Sequence, residues 1–231
     1  MRDKIRQGLT PPVHHLKKSE IVWLATHRCK KHHHSFLSHY ACYLREHPEK
    51  ERIGFLDCEC SNLNGDFGIL LSYCILDNNT GKILSGVFSE ADINNKDEED
   101  KRVVTQLIKD LLKFDRIITW YGRRFDIPFI RTRALICKVP FPYFGSIRHD
   151  DIYFISRNRL KLHSNRLENF CRSVLGITHK THIISKYWRR GQRGDKKALG
   201  YILDHNKRDV IDLQRAYFAL KDFVARNNTS I

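Results

Sequence analysis

A chain of 231 residues with 41% hydrophobic side chains is long enough to bury the core of one ordinary domain and carry a small appendage. No apolar run approaches the roughly 20 residues that span a bilayer, and MRDKIRQGLTPPVHHLKK has no apolar signal-peptide core, so the expectation is an intracellular, cytoplasmic protein. A formal charge of +15, with no basic amphipathic anchor or lipidation motif, turns the expected partner toward nucleic acid and away from a membrane.

Residues 1–51 read as a separate basic extension that holds eight of the thirteen histidines. Within HRCKKHHHSFLSHYAC, Cys29, His34, His39 and Cys42 are the candidate ligands of one structural zinc ion, with His32 the alternative to His34. Thiolates and imidazoles suit that borderline-soft ion, and His39 and Cys42, three apart, share a helix face. The seven cysteines are an odd number, most of them in apolar segments, which fits reduced thiols better than a disulfide framework.

Residues 52–231 form the main domain. RIGFLDCE, GILLSYCILD and ILSGVFS read as an antiparallel meander, with a turn at NNTGK. An acidic loop, SEADINNKDEED, leads to a helix in KRVVTQLIKDLLKF, whose Val103, Val104, Leu107, Ile108, Leu111 and Leu112 recur at helical spacing. RIITWYG is a short buried strand, and Asp126 is placed to cap a following helix with Pro128 in its first turn. DDIYFI reads as another strand, RLENFCRSVLG as a helix closed by Gly176, and Asp195 to Asn227 as mostly one long helix. Three antiparallel strands followed by alternating helices and strands predict an α/β fold, a mixed sheet flanked by helices.

Asp57 and Glu59 are two apart on the first strand and so point to one face, although its flanks read as buried core. Stripping water from a carboxylate costs several kcal/mol, so such acids need cations. Asp126 and Asp209 come from distant segments and complete a set of oxygen donors suited to hard divalent ions. A helix cap for Asp126 and a solvated helix acid for Asp209, like Asp212, are the bland alternatives. Asp150 and Asp151 read as structural.

In the order FLDCECSNL, WYGRRFDIPFI and HNKRDVIDL, the chain resembles the DEDD superfamily of ribonuclease-H-like 3′–5′ exonucleases over about Arg52 to Leu220, and most of all their YprB-type members. The resemblance implies a ribonuclease-H-like fold, and it implies that Asp57, Glu59, Asp126 and Asp209 hold two Mg²⁺ or Mn²⁺ ions for phosphodiester hydrolysis at a 3′ end. A fifth group in that superfamily handles the attacking water: a histidine five positions before the last aspartate in one branch, a tyrosine four before it in the other. Here His205 stands four before Asp209, a histidine at the tyrosine spacing, one helical turn from the acid.

From Arg157 to Gly200 there are twelve Lys or Arg against two acids, with aromatics interleaved, as a nucleic-acid path requires. Arg123 and Arg124 beside Asp126, and Tyr187, Trp188, Arg189 and Arg190, are the candidate substrate contacts. A structure-selective endonuclease and a non-catalytic nucleic-acid module of a replication or repair assembly are the rival readings, and nothing in the chain distinguishes DNA from RNA.

Overall fold

The computed structural model describes residues 16–94, 99–179, 181, 184–223 and 229–230. Two helices, α1 (Lys18–Thr26) and α2 (Tyr40–Glu46), and a 3₁₀ turn (Pro48–Lys50) precede the strands β1 (Ile53–Cys60), β2 (Leu70–Asp77) and β3 (Ile83–Val87). Then come α3 (Glu90–Asn94), α4 (Lys101–Leu111), β4 (Arg116–Thr119), α5 (Asp126–Ile136), β5 (Arg148–Asp151), α6 (Ile152–Arg159), α7 (Leu167–Val174), α8 (Ser185–Gly191) and α9 (Lys196–Leu220). A two-residue strand, β6 (Thr229–Ser230), ends the described chain.

The strands form one mixed sheet in the order β3-β2-β1-β4-β5-β6. The meander pairs antiparallel, β1 with β2 and β2 with β3, whereas β4 lies parallel to β1 and β5 parallel to β4. Parallel neighbours need crossovers, and α4 and α5 supply them. Alternation along β1 divides the core in two. Leu56 and Cys58 join Val104, Leu107, Ile127 and Ile130 from α4 and α5, and Phe55 on the other face joins Ile152, Phe170, Val210 and Leu213 from α6, α7 and α9. Seven of the eight residues of β2 are buried, because both of its faces are covered and it is flanked by β1 and β3. Four charged residues at the edge of this core are bonded internally: Asp92 pairs with Arg102 at 2.6 Å and Asp100 with Arg133 at 2.6 Å. Two of them, Asp92 and Asp100, come from the acidic loop and tie its ends to α4 and α5.

Two expectations change. DDIYFI is not one strand: the strand ends at Asp151, whose carboxylate accepts the amide of Tyr153 at 3.2 Å and starts α6 at Ile152. A four-residue apolar run, IYFI, fits either state, and the cap decides it. Asp126 is the first residue of α5, not its cap; Phe125 precedes it, and the Asp126 carboxylate accepts the amide of Cys58 in β1 at 3.1 Å. The long final helix does have an aspartate cap, Asp195, accepting from the amide of Ala198 at 2.8 Å. Residues 224–228, the far end of the helix as expected from sequence, lie outside the described residues.

The N-terminal unit packs Leu24, Cys29, Phe36, Tyr40, Cys42 and Leu44 into a small cluster of its own. It meets the sheet where β1 and β4 begin. There Asp115 accepts the Arg52 amide at 2.9 Å and its guanidinium at 3.3 Å, and Tyr40 donates its hydroxyl to the same carboxylate.

Candidate active site

The three segments that carry the acids meet where β1 and β4 end, at the opposite end of the sheet from the N-terminal unit. Asp57, Glu59, Asp126, His205 and Asp209 all line one cleft of about 480 Å³, together with Leu63, Trp120, Tyr121, Arg124 and Phe125. Asp57 and Glu59 project from the same face of β1, and the register shifts just after Glu59, at Cys60. On α9, His205 and Asp209 lie one turn apart, and the ligand atoms of Glu59, His205 and Asp209 fall within 4.8 Å of one another. His205 Nε2 is 3.6 Å from both Glu59 Oε1 and Asp209 Oδ2.

Asp57 and His205 are held from behind. Asn206 donates Nδ2–H to Asp57 Oδ2 at 2.6 Å, a role for the residue next to His205 that the sequence did not disclose. Thr181 Oγ1 lies 2.6 Å from His205 Nδ1, which fixes the ring and leaves Nε2 turned to the acids. The loop that bears Thr181 is pinned in turn by Asp212, which accepts Thr178 Oγ1 at 3.0 Å and the His179 amide at 2.8 Å and contacts His179 Nδ1 at 2.6 Å. Asp212 is thus a buried anchor and not a solvated helix acid.

Removing the Thr181 hydroxyl should cost the ring one hydrogen bond, roughly 1 kcal/mol of positioning. If the cleft carries the hydrolysis that the sequence resemblance implies, Thr181→Val should lower its rate by about fivefold and Thr181→Ser should recover it. Equal rates in wild type and Thr181→Val would remove this role.

Burial pushes the Asp126 carboxyl up to about 7, and the nearby Asp151 carboxylate adds to the shift. With its folded value above the unfolded one, the native state binds the extra proton. The resulting stabilisation is fully present below about pH 4 and is lost as pH rises through about 7, at most about 4 kcal/mol. In buffer without added divalent cation, the protein should therefore be more stable at about pH 5 than at about pH 8, and Asp126→Asn should flatten that slope. Denaturant midpoints at the two pH values check it; equal slopes in both proteins would contradict it.

A second cleft, of about 880 Å³, opens from Asp57 and Asp209 and is lined by Trp120, Tyr121, Tyr153, His163, Asn165, Arg166, Arg172 and Thr181. Tyr121 is 44% exposed and has a left-handed φ of 68°. The turn it starts is tight: a Cβ on Gly122 would lie 2.5 Å from the Thr119 side chain, so alanine there would force the turn open. These cleft residues differ from most of the substrate contacts expected from sequence. Arg124 lines the first cleft, and Arg123 and, on α8, Arg189 are exposed. Arg190, however, is bonded to Asp195 at 3.0 Å, Tyr187 stacks on Tyr201 at 4.5 Å, and Trp188 packs against the core with its ring 5.6 Å from that of His205.

In the N-terminal unit the ligand atoms that lie within 4.8 Å of one another belong to Cys29, His32, His39 and Cys42. His34, expected in the fourth position, is not among them. Its carbonyl accepts the Cys29 amide at 2.9 Å, which closes the turn and leaves the ring stacked 6.1 Å from that of His32. Burial raises the Cys29 thiol, but amides of His32 and His34 directed at the sulfur outweigh it and hold it below its ordinary value. All seven cysteines are free thiols.

A family profile described as RNase_H superfamily matches residues 54–220. A DNA polymerase of Methanocaldococcus jannaschii is 27% identical over 156 residues, which is 57% of this chain and 9% of that protein. The family B DNA polymerase of the archaeon Pyrobaculum calidifontis superposes with a TM-score of 0.56 at 16% identity, over 74% of this chain and 24% of that one, a likeness of fold. The chain thus spans less than a quarter of the length of either, and no described helix is long and apolar enough to cross a membrane. With most of β1 through α9 inside the matched span, the chain belongs to the RNase_H superfamily.

Proposed function

We propose that the protein is a metal-dependent nuclease that removes nucleotides from the 3′ end of a nucleic-acid strand, as the DEDD exonucleases do. The observation that carries this reading is the convergence of Asp57, Glu59, Asp126, His205 and Asp209 from three distant segments on one cleft. Four carboxylates and one imidazole on one cleft are a hard, oxygen-rich donor set of the kind that fits Mg²⁺ or Mn²⁺.

Asp57, Glu59, Asp126 and Asp209 would hold two such ions, which when bound lower the pKa of water and balance charge on the phosphodiester oxygens. The remaining work falls to the chain itself. His205 accepts a proton at Nε2 from the attacking water while Thr181 fixes the ring at Nδ1. The water oxygen bonds to phosphorus, the bond from phosphorus to the 3′ oxygen breaks, that oxygen takes a proton from solvent, and a nucleoside 5′-monophosphate leaves behind a shortened strand with a new 3′-hydroxyl. Trp120, Tyr121 and Tyr153 offer rings to unpaired bases, and Arg123, Arg124, Arg166 and Arg172 offer charge to phosphates. Rings beside the cleft favour a single strand, and two relatives named DNA polymerase favour DNA as the first substrate to try.

Incubation with fluorescent single-stranded DNA and RNA, in Mg²⁺ and then in Mn²⁺, tests the nuclease reading. Release of mononucleotides that depends on the ion supports it. Tight binding with no cleavage under either ion, on either nucleic acid, would replace it with the binding-module reading.

A further inference from the structure

We propose that Cys29, His32, His39 and Cys42 bind one zinc ion, and that this ion, not apolar burial, holds the N-terminal unit in its fold. Tetrahedral zinc with bonds of about 2.0–2.3 Å places its ligand atoms about 3.3–3.8 Å apart. Without an ion, Cys42 Sγ already stands 3.4 Å from His32 Nδ1, and Cys29 Sγ stands 4.0 Å from His32 Nδ1 and 3.9 Å from His39 Nδ1. Bringing these three distances into that range requires shifts of a few tenths of an ångström.

The ligands arrive as two pairs, each three residues apart, from two different pieces of backbone. Cys29 and His32 flank a tight turn in which the His33 amide donates to the Cys29 carbonyl at 2.9 Å and His33 adopts a left-handed φ of 55°, and Arg28 bridges to Ser35 across its base. His39 and Cys42 sit at the start of α2, joined by the Cys42 amide donating to the His39 carbonyl at 2.9 Å. Amides directed at the Cys29 sulfur supply the outer hydrogen bonds that a zinc-bound thiolate needs.

The rest of the unit explains why an ion is required. Among the described residues, six buried side chains with Leu16, Leu37, Ala41 and Tyr43 packed against them make its core, and two of the six are the ligand cysteines themselves. A unit this small does not cohere by burial alone, whereas metal binding contributes directly to folding. Its distance from the catalytic acids, at the other end of β1, makes the ion structural. It would set the surface through which Tyr40 and Arg52 reach Asp115.

Cobalt substitution of the full, untagged, reduced chain tests the proposal. One Co²⁺ per chain with intense visible bands of a four-coordinate ion and a thiolate charge-transfer band in the near ultraviolet is expected. The signal should be lost in Cys42→Ser, kept in His34→Ala and in Asp57→Asn, and shifted to stronger charge transfer in His32→Cys. Zn²⁺ should displace Co²⁺, and stripping it should lower the melting temperature of wild type but not of Cys42→Ser. Weak six-coordinate bands alone, the four-coordinate signal retained in Cys42→Ser, loss of that signal in Asp57→Asn, or a Cys29–Cys42 disulfide in place of metal would each overturn it. The Asp57→Asn arm separates this site from the catalytic one, so failure of either leaves the other standing.

Discussion

Asp57→Asn should abolish nucleic-acid hydrolysis, by at least about a thousandfold, while leaving the fold in place. The substitution keeps the shape of the side chain, and the amide oxygen can still accept the 2.6 Å hydrogen bond from Asn206. What disappears is one negative charge from a cluster whose only proposed purpose is to hold cations. A site that loses a cation ligand loses both the ion and the water it activates, so the effect far exceeds the roughly 1 kcal/mol of one neutral hydrogen bond. Asp209→Asn should behave alike. Asp212→Asn, three residues on, should instead loosen the loop that carries Thr178 and His179 and should cost rate only through His205. Single-turnover rates with circular dichroism melts check all three. Activity of Asp57→Asn within about tenfold of wild type would sink the carboxylate mechanism.

Arg133→Met should destabilise the protein by about 3–5 kcal/mol, a fall in melting temperature on the order of 10 °C for a chain of this length. Arg133 is 2% exposed and Asp100 is fully buried. The guanidinium bonds Asp100 at 2.6 Å and the Gly65 carbonyl at 3.1 Å, and it also reaches Glu99. Asp100 in turn accepts the Leu70 amide at 2.6 Å where β2 begins. One ion pair therefore joins α5, the start of α4 and the first residue of β2. Breaking it strands a carboxylate in the core, the costly half of any buried pair. Urea unfolding of the variant measures the loss. A change under about 1 kcal/mol would show that water reaches Asp100 when Arg133 is removed.

How much of this was legible in the sequence depended on what each signal constrains. The meander was legible because its three apolar runs are long and punctuated by turn residues, and the order and spacing of Asp57, Glu59, Asp126 and Asp209 led to one cleft. Short runs were ambiguous: nothing in IYFI separates strand from helix until Asp151 is seen to cap it. Position along the chain hid the supporting cast. Asn206, Thr181 and Asp212 act across 24 to 149 residues of separation, and no local pattern reports such partners. Charge density pointed to residues 157–200 as a whole, but only packing shows that Trp188 is packed against the core and that Arg166 and Arg172, the latter paired with Glu168 at 2.7 Å, line the cleft whereas Arg190 does not. In the histidine run His32, His33 and His34 are equivalent as letters. The turn that sends His34 back through its own carbonyl to Cys29 is what selects His32.

The central claim, that the acid cluster cuts from a 3′ end, is tested most directly with 5′-labelled linear single strands beside covalently closed circles of the same sequence, in Mg²⁺ or Mn²⁺. The account predicts a ladder that shortens stepwise from the 3′ end, intact circles, and neither reaction in Asp57→Asn. Linearised circles, or a label released at once as a mononucleotide, would contradict it and assign the same carboxylates to internal or 5′-end cleavage.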